Sequence, residues 1–112
     1  MVILFKRTKI EKECNNKNIM AKKYGPKRAN LLKRRLSQLA AADVLDDLYN
    51  LPQARCHELK GELKGYLSVD LDHPYRLILE PANNPIPKKS DGGLDWTKIN
   101  EIRIISVEDT HG

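Results

Sequence analysis

At Pro52 the spacing of apolar residues along the chain changes. Before it, Leu32, Leu36 and Leu39, followed by Leu45 and Leu48, recur close to every 3.6 residues, the period of a helix with one buried stripe. After it, Leu67, Val69 and Leu71 alternate with Tyr66, Ser68, Asp70 and Asp72, the period of a strand with one buried face. Helices gathered before strands point to an α+β architecture, a sheet with helices on one side. With 112 residues and 12.8 kDa, residues 1–112 are expected to form one domain, too small for a second core of useful size.

Finer punctuation divides the two halves. Val2–Phe5, rich in β-branched and aromatic residues, reads as an opening strand, and the polar stretch 6–18 reads as helical. Gly25 and Pro26 break the chain and start a helix over 26–42, with Pro in the first turn. Asp43 is placed as the N-cap of a second, short helix, with Asp46 and Asp47 in its first turn and Leu51-Pro52 ending it. Residues 75–80 form a hairpin with the preceding strand through Asp72-His73-Pro74, setting Leu77 and Leu79 on one face and Arg76 and Ile78 on the other. Pro85, Pro87 and Asp91-Gly92-Gly93 mark 83–95 as a loop with freedom to move. The last strand, 99–107, breaks strict alternation at Ile102, Ile104, Ile105 and Val107, as expected of a central strand covered on both faces. The expected fold is therefore a small antiparallel sheet with an N-terminal strand and two or three helices on one face. The other face stays available for a site.

Charge is distributed as unevenly as hydropathy. Twenty Lys and Arg against fifteen Asp and Glu give +5 and a sequence pI near 9.3. Residues 1–40 alone hold twelve basic and two acidic residues, net +10, leaving −5 for the rest. Polyanions are the partners to consider first, and Lys22, Lys23, Lys27 and Arg34 are candidates to grip an RNA backbone without reading its sequence. The longest early apolar run, Val2–Phe5, is far too short for a signal sequence or a membrane span, so a cytoplasmic protein with no membrane partner is expected. Cys14 and Cys56 lack a Cys-x-x-Cys or Cys/His spacing, which argues for reduced thiols over a disulfide or zinc site.

No P-loop, nucleophile elbow, dinucleotide-binding glycine pattern or metalloprotease helix is present. Histidine is the side chain whose ordinary pKa suits acid and base work near neutrality. His73, beside Pro74 in a turn, reads as merely exposed. His57 lies in Arg55-Cys56-His57-Glu58-Leu59-Lys60-Gly61, where extended geometry would put Arg55, His57 and Leu59 on one face and gather cations around one imidazole. With His111, Arg76, Lys60 and Asp109, this inventory suits metal-free phosphodiester cleavage. In that reaction a base takes the RNA 2′-hydroxyl proton, a cation stabilises the pentacovalent phosphorane, and an acid protonates the departing 5′-oxygen.

Four segments occur in a recognisable order: Arg55-Cys56-His57-Glu58-Leu59-Lys60-Gly61, Lys64-Gly65-Tyr66-Leu67-Ser68-Val69, Tyr75-Arg76-Leu77-Ile78 and Glu108-Asp109-Thr110-His111. Together they resemble the HigB branch of the RelE/ParE toxin superfamily, toxins of bacterial type II toxin–antitoxin pairs. The likeness is strongest over 55–80 and 102–111, while residues 1–50 match only in element order. It implies a RelE-like fold, a ribosome-dependent messenger-RNA endonuclease without cofactor or metal, and a cognate helix-turn-helix antitoxin that also represses transcription. By the same resemblance His57, Asp109 and His111 correspond to residues implicated in cleavage, Lys60 to a cation near the scissile phosphate and Arg76 to a transition-state stabiliser. Arg55 joins Lys60 as an RNA-binding candidate. One position departs: the family ends Asp-Tyr-His, whereas Thr110 stands here, so an aromatic able to stack on a base is missing and Tyr66, Tyr75 or Trp96 would have to replace it.

Two other readings keep parts of this picture. A ParE-like toxin acting on a topoisomerase, or a catalytically degenerate nucleic-acid-binding relative, would need the fold but neither His57 nor His111. A regulatory nucleic-acid-binding module would draw on the basic first third, but no helix-turn-helix or ribonucleoprotein motif accompanies it.

Overall fold

The computed structural model describes residues 1–109. Strand β1 spans Val2–Phe5, as expected, with Ile3 and Phe5 turned to the core and Val2 and Leu4 exposed. The stretch 6–18 read as helical holds α1, Thr8–Asn15, and only the start of a second helix, α2, Lys17–Tyr24, most of which lies beyond it. Asn16 divides them, because its side chain accepts hydrogen bonds from the amides of Asn18 at 2.9 Å and Ile19 at 3.1 Å and so caps α2. Helix α3, Pro26–Ala41, begins with Pro26 after Gly25, whose φ of 80° only glycine adopts at little cost.

The short helix after α3 is a 3₁₀ turn, Leu45–Asn50, and its cap differs from expectation. Val44 holds the N-cap position, while Asp47 reaches back to accept from the amides of Asp43 at 3.0 Å and Val44 at 3.2 Å. The amides that an Asp43 cap would have satisfied, those of Leu45 and Asp46, donate instead to the carbonyls of Ile99 at 2.8 Å and Trp96 at 3.1 Å. A second 3₁₀ turn, Pro52–Ala54, leads into β2, His57–Glu58.

Strands β3, Leu67–Asp70, β4, Tyr75–Pro81, and β5, Glu101–Asp109, complete a sheet of order β1-β5-β4-β3-β2. Strands β2 to β5 pair antiparallel, whereas β1 lies parallel to β5, so the sheet is mixed. The three helices supply the crossover a parallel neighbour requires. Ile10, Met20, Ala29, Leu32 and Leu39 from the helices form one apolar cluster with Leu67, Val69, Leu77, Leu79, Ile102 and Ile104 from the sheet.

The broken alternation in β5 has a different cause from the one expected. Ile78 pairs with Ser106 and Leu79 with Ile104, leaving Ile105 as the extra residue of a β-bulge. The bulge keeps Ile102 and Ile104 in the core while Ser106 and Glu108 join Ile78 and Arg76 on the opposite face. Two-sided covering is not needed to explain the pattern.

The 83–95 loop has contacts within it and at its ends. The side chains of Asn83 and Asn100 bond to each other at 2.8 Å, Lys88 bridges to Leu94, and Trp96 donates its indole N–H to Glu58 at 3.0 Å while stacking on Tyr49. Among the described residues, no helix is long and apolar enough to cross a membrane.

Candidate active site

The face of the sheet away from the helices carries two of the sequence-derived candidates, His57 and Arg76. Register aligns His57 with Ser68 and Ser68 with Ile78, and in the next row Asp70 with Arg76 and Arg76 with Glu108. Alternation puts all of these side chains on the side opposite Leu67, Val69, Leu77 and Leu79. Ideal strand spacing puts the Cα atoms of His57 and Arg76 about 12 Å apart, two strands and two residues away, a gap an imidazole and a guanidinium can span from both sides of one phosphate.

His57 is oriented by its own backbone. Its Nδ1 lies 2.8 Å from the carbonyl oxygen of Arg55, and a carbonyl only accepts, so Nδ1 carries the hydrogen. In the neutral ring Nε2 then has a bare lone pair. Arg55 achieves this by leaving extended geometry: with φ 45° and ψ 52° it occupies the left-handed region, so the expected extended run through Arg55, His57 and Leu59 is interrupted at its first residue.

Arg76 meets the carboxylate of Asp70, with Nε 3.7 Å from Oδ1. Arg55 grips the same carboxylate with two donors, Nε at 2.8 Å and an Nη at 3.2 Å. That hydrogen bond holds the Arg55 guanidinium further above its ordinary pKa. Arg55, Asp70, His73, Tyr75 and Arg76 help line a small cavity of about 40 Å³ beside the β3–β4 turn, where His73 is exposed. Asp70 was legible only as a polar position in the alternation; the signal that could have singled it out is the hairpin register, which sets an acid directly opposite Arg76.

The other candidates lie elsewhere. Lys60 is exposed three residues beyond His57, at the start of the 3₁₀ turn Gly61–Leu63. Asp109 pairs with Tyr75 rather than with Arg76, so register directs it to the helix side of the sheet. His111 and Thr110 lie outside the described residues. Lys22, Lys23, Lys27 and Arg34 are exposed on α2 and α3, which cover the opposite face from His57 and Arg76, and Lys23 is paired with Glu13 at 2.8 Å. The aromatic candidates are partly engaged: Tyr75 lies 3.3 Å beneath the guanidinium of Arg28, and Trp96 is stacked on Tyr49.

Comparison with known families was decisive. A family model described as HigB-like toxin, the RelE-like toxin of the type II toxin–antitoxin system HigB, matches residues 5–90. The chain belongs to the HigB-like toxin family. No curated protein and no solved structure matches it. The span runs from the end of β1 through β4 and so takes in His57, Lys60, Asp70 and Arg76, while β5, with Asp109, lies beyond it. The N-terminal half, which resembled the family only in element order, falls largely within the match. Membership makes the protein a type II toxin, and such a HigB-like toxin has a cognate antitoxin as its partner.

Proposed function

We propose that this HigB-like toxin cleaves messenger RNA on the ribosome by metal-independent acid–base chemistry. The observation that carries the reading is the placement, on the sheet face away from the helices, of a His57 whose Nε2 is left bare together with the guanidinium of Arg76. Both are partly exposed at the rim of a patch where Ser68 and Ile78 are buried. Nε2 of His57 accepts the proton of the 2′-hydroxyl, O2′ bonds to phosphorus, and the P–O5′ bond breaks. Arg76 stabilises the charge on the phosphorane, with Lys60 assisting, and His111 returns a proton to O5′. The products are a 2′,3′-cyclic phosphate and a 5′-hydroxyl end.

With Nδ1 of His57 already donating to Arg55 and Asp109 directed to the helix side of the sheet, Asp109 is not the group that orients His57. The basic helices, on the far side of the sheet, would hold ribosomal RNA while the exposed rim around His57 and Arg76 receives the message. Substrate choice would then come from the ribosomal setting as well as from the face itself.

The test is addition of purified protein to a translation extract, with mapping of messenger-RNA ends for wild type, His57→Ala and His111→Ala. Loss of a catalytic acid or base typically costs on the order of 10² to 10⁴ in rate, so new 5′-hydroxyl ends should all but vanish in either variant. Undiminished cleavage in both variants rejects the site. Topoisomerase–DNA adducts in place of RNA cleavage would reject the reaction.

A further inference from the structure

Arg55 was a candidate to hold RNA, yet two of its five guanidinium donors and its backbone carbonyl are engaged within the protein. Two of them bind Asp70, at 2.8 and 3.2 Å, and its backbone carbonyl binds His57 Nδ1 at 2.8 Å. Asp70 is placed in turn by a buried cation: Arg35, only 6% exposed, donates Nε to the Asp70 carbonyl at 2.7 Å and an Nη to the carbonyl of Gln53 at 3.2 Å. Gln53 belongs to the 3₁₀ turn that ends at Arg55. One guanidinium from α3 thus holds both the turn that aims the Arg55 carbonyl and the strand that presents the Asp70 carboxylate.

A carboxylate beside a phosphate-binding arginine repels the substrate, so its presence calls for a return elsewhere. The return is orientation. Asp70 approaches Arg76 through Nε at 3.7 Å, and it grips the side chain of Arg55, whose left-handed backbone presents the carbonyl that meets the His57 ring. We infer that Arg55 and Asp70 are a positioning pair that ties the orientation of the His57 imidazole to that of the Arg76 guanidinium, rather than groups that grip RNA. The inference rests on the proposed nuclease reading for its kinetic consequence, but not for its structural one.

The experiment uses the full chain with Asp70→Asn, which keeps the shape and removes the charge. Nitrogen NMR of the His57 ring reads the tautomer directly. Wild type should hold the Nδ1–H form, and Asp70→Asn should shift the ring toward Nε2–H while the thermal melt still shows a folded protein. In cleavage assays kcat should fall by roughly 10- to 100-fold, the scale of misplaced catalytic groups, with KM unchanged or lower because a repelling charge is gone. Arg55→Lys, at a side chain half exposed to solvent, is the second variant if Asp70→Asn does not fold; it keeps the charge, loses the two-pronged grip and should give the same tautomer shift.

An unchanged tautomer in folded Asp70→Asn or Arg55→Lys overturns the inference. So does a rise in kcat/KM in Asp70→Asn, which would make Asp70 a competitor of the phosphate, or a rise in KM alone in Arg55→Lys, which would make Arg55 an RNA ligand. If the wild type cleaves no RNA, the nuclease reading fails by itself, and the tautomer shift still decides whether the pair orients His57.

Discussion

Tyr24 on α2 donates its phenolic hydrogen to Glu13 on α1 at 2.7 Å, and Lys23 donates to the other oxygen of the same carboxylate at 2.8 Å. Glu13 is only 4% exposed, so these contacts keep a buried acid ionised between two short helices. Burial pushes its carboxyl pKa up, but the hydrogen bonds from Lys23 and Tyr24 outweigh it and hold the group below its ordinary value of 4.5. Glu13→Ala leaves the Tyr24 hydroxyl without its acceptor and should cost about 1–3 kcal/mol, read by urea denaturation at pH 7. Because the folded pKa is lowered, this stabilisation is fully present above the unfolded value and is lost as pH falls through the folded one. The gap between wild type and Glu13→Ala should therefore narrow below pH 4.5. A gap constant down to pH 3 would show that the carboxylate's charge contributes nothing.

Ser68 sits opposite His57 in the sheet, wholly buried, with no hydrogen-bond partner for its hydroxyl among the described residues. An unsatisfied buried hydroxyl is a cost, and Ser68→Ala removes it with little change in volume. The variant should be as stable as wild type or more stable by up to about 1 kcal/mol in urea denaturation, with cleavage retained. A clear loss of stability would mean that the hydroxyl is bonded in solution.

Both thiols are unbridged, and burial pushes each up from an ordinary 9.0 to about 12, with Glu13 adding to the effect at Cys14 and Glu58 at Cys56. Since the thiolate is the reactive form, alkylation by iodoacetamide at pH 8 should run about a thousandfold slower in the folded protein than in urea. The native rate should keep rising about tenfold per pH unit up to pH 11. A native rate within tenfold of the unfolded one would contradict the raised values.

The exposed cations on α2 and α3 are tested by salt. Lys22→Ala, Lys27→Ala and Arg34→Ala together should weaken ribosome binding and flatten its dependence on KCl, by somewhat under one unit of log–log slope for each phosphate no longer neutralised. Lys23 is left intact because it also holds Glu13. An unchanged slope would return these residues to the role of a solvated helix surface.

Local pattern was enough for much of the framework. Val2–Phe5 was legible to the residue, α3 to within one, and the β3–β4 hairpin correctly separated Leu77 and Leu79 from Arg76 and Ile78. Elements whose cause is local, a period of two or a Pro after a Gly, declare themselves in the chain. The failures share a different origin. Asn16 ends α1 and caps α2 because its side chain outcompetes helical continuation, and no Asp43 cap is needed because the carbonyls of Ile99 and Trp96, distant in the chain, take the amides of Leu45 and Asp46. Ile105 looked like evidence of two-sided burial because a bulge and a doubly covered strand leave the same broken alternation.

The site divides in the same way. Residue types and order, together with the family resemblance, proposed His57, Lys60, Arg76, Asp109 and His111 as the groups to move protons and balance phosphate charge. Which of them share a face was decided by pairing across strands: the register that sets Asp70 against Arg76, sends Asp109 to the side of Tyr75, and separates the basic helices from the face that carries His57 and Arg76. Side-chain identity is a property of one residue, but direction and company depend on hydrogen bonds between segments far apart in the chain. Only the folded sheet, with Arg55 in its left-handed turn and Arg35 buried behind it, determines where those groups point.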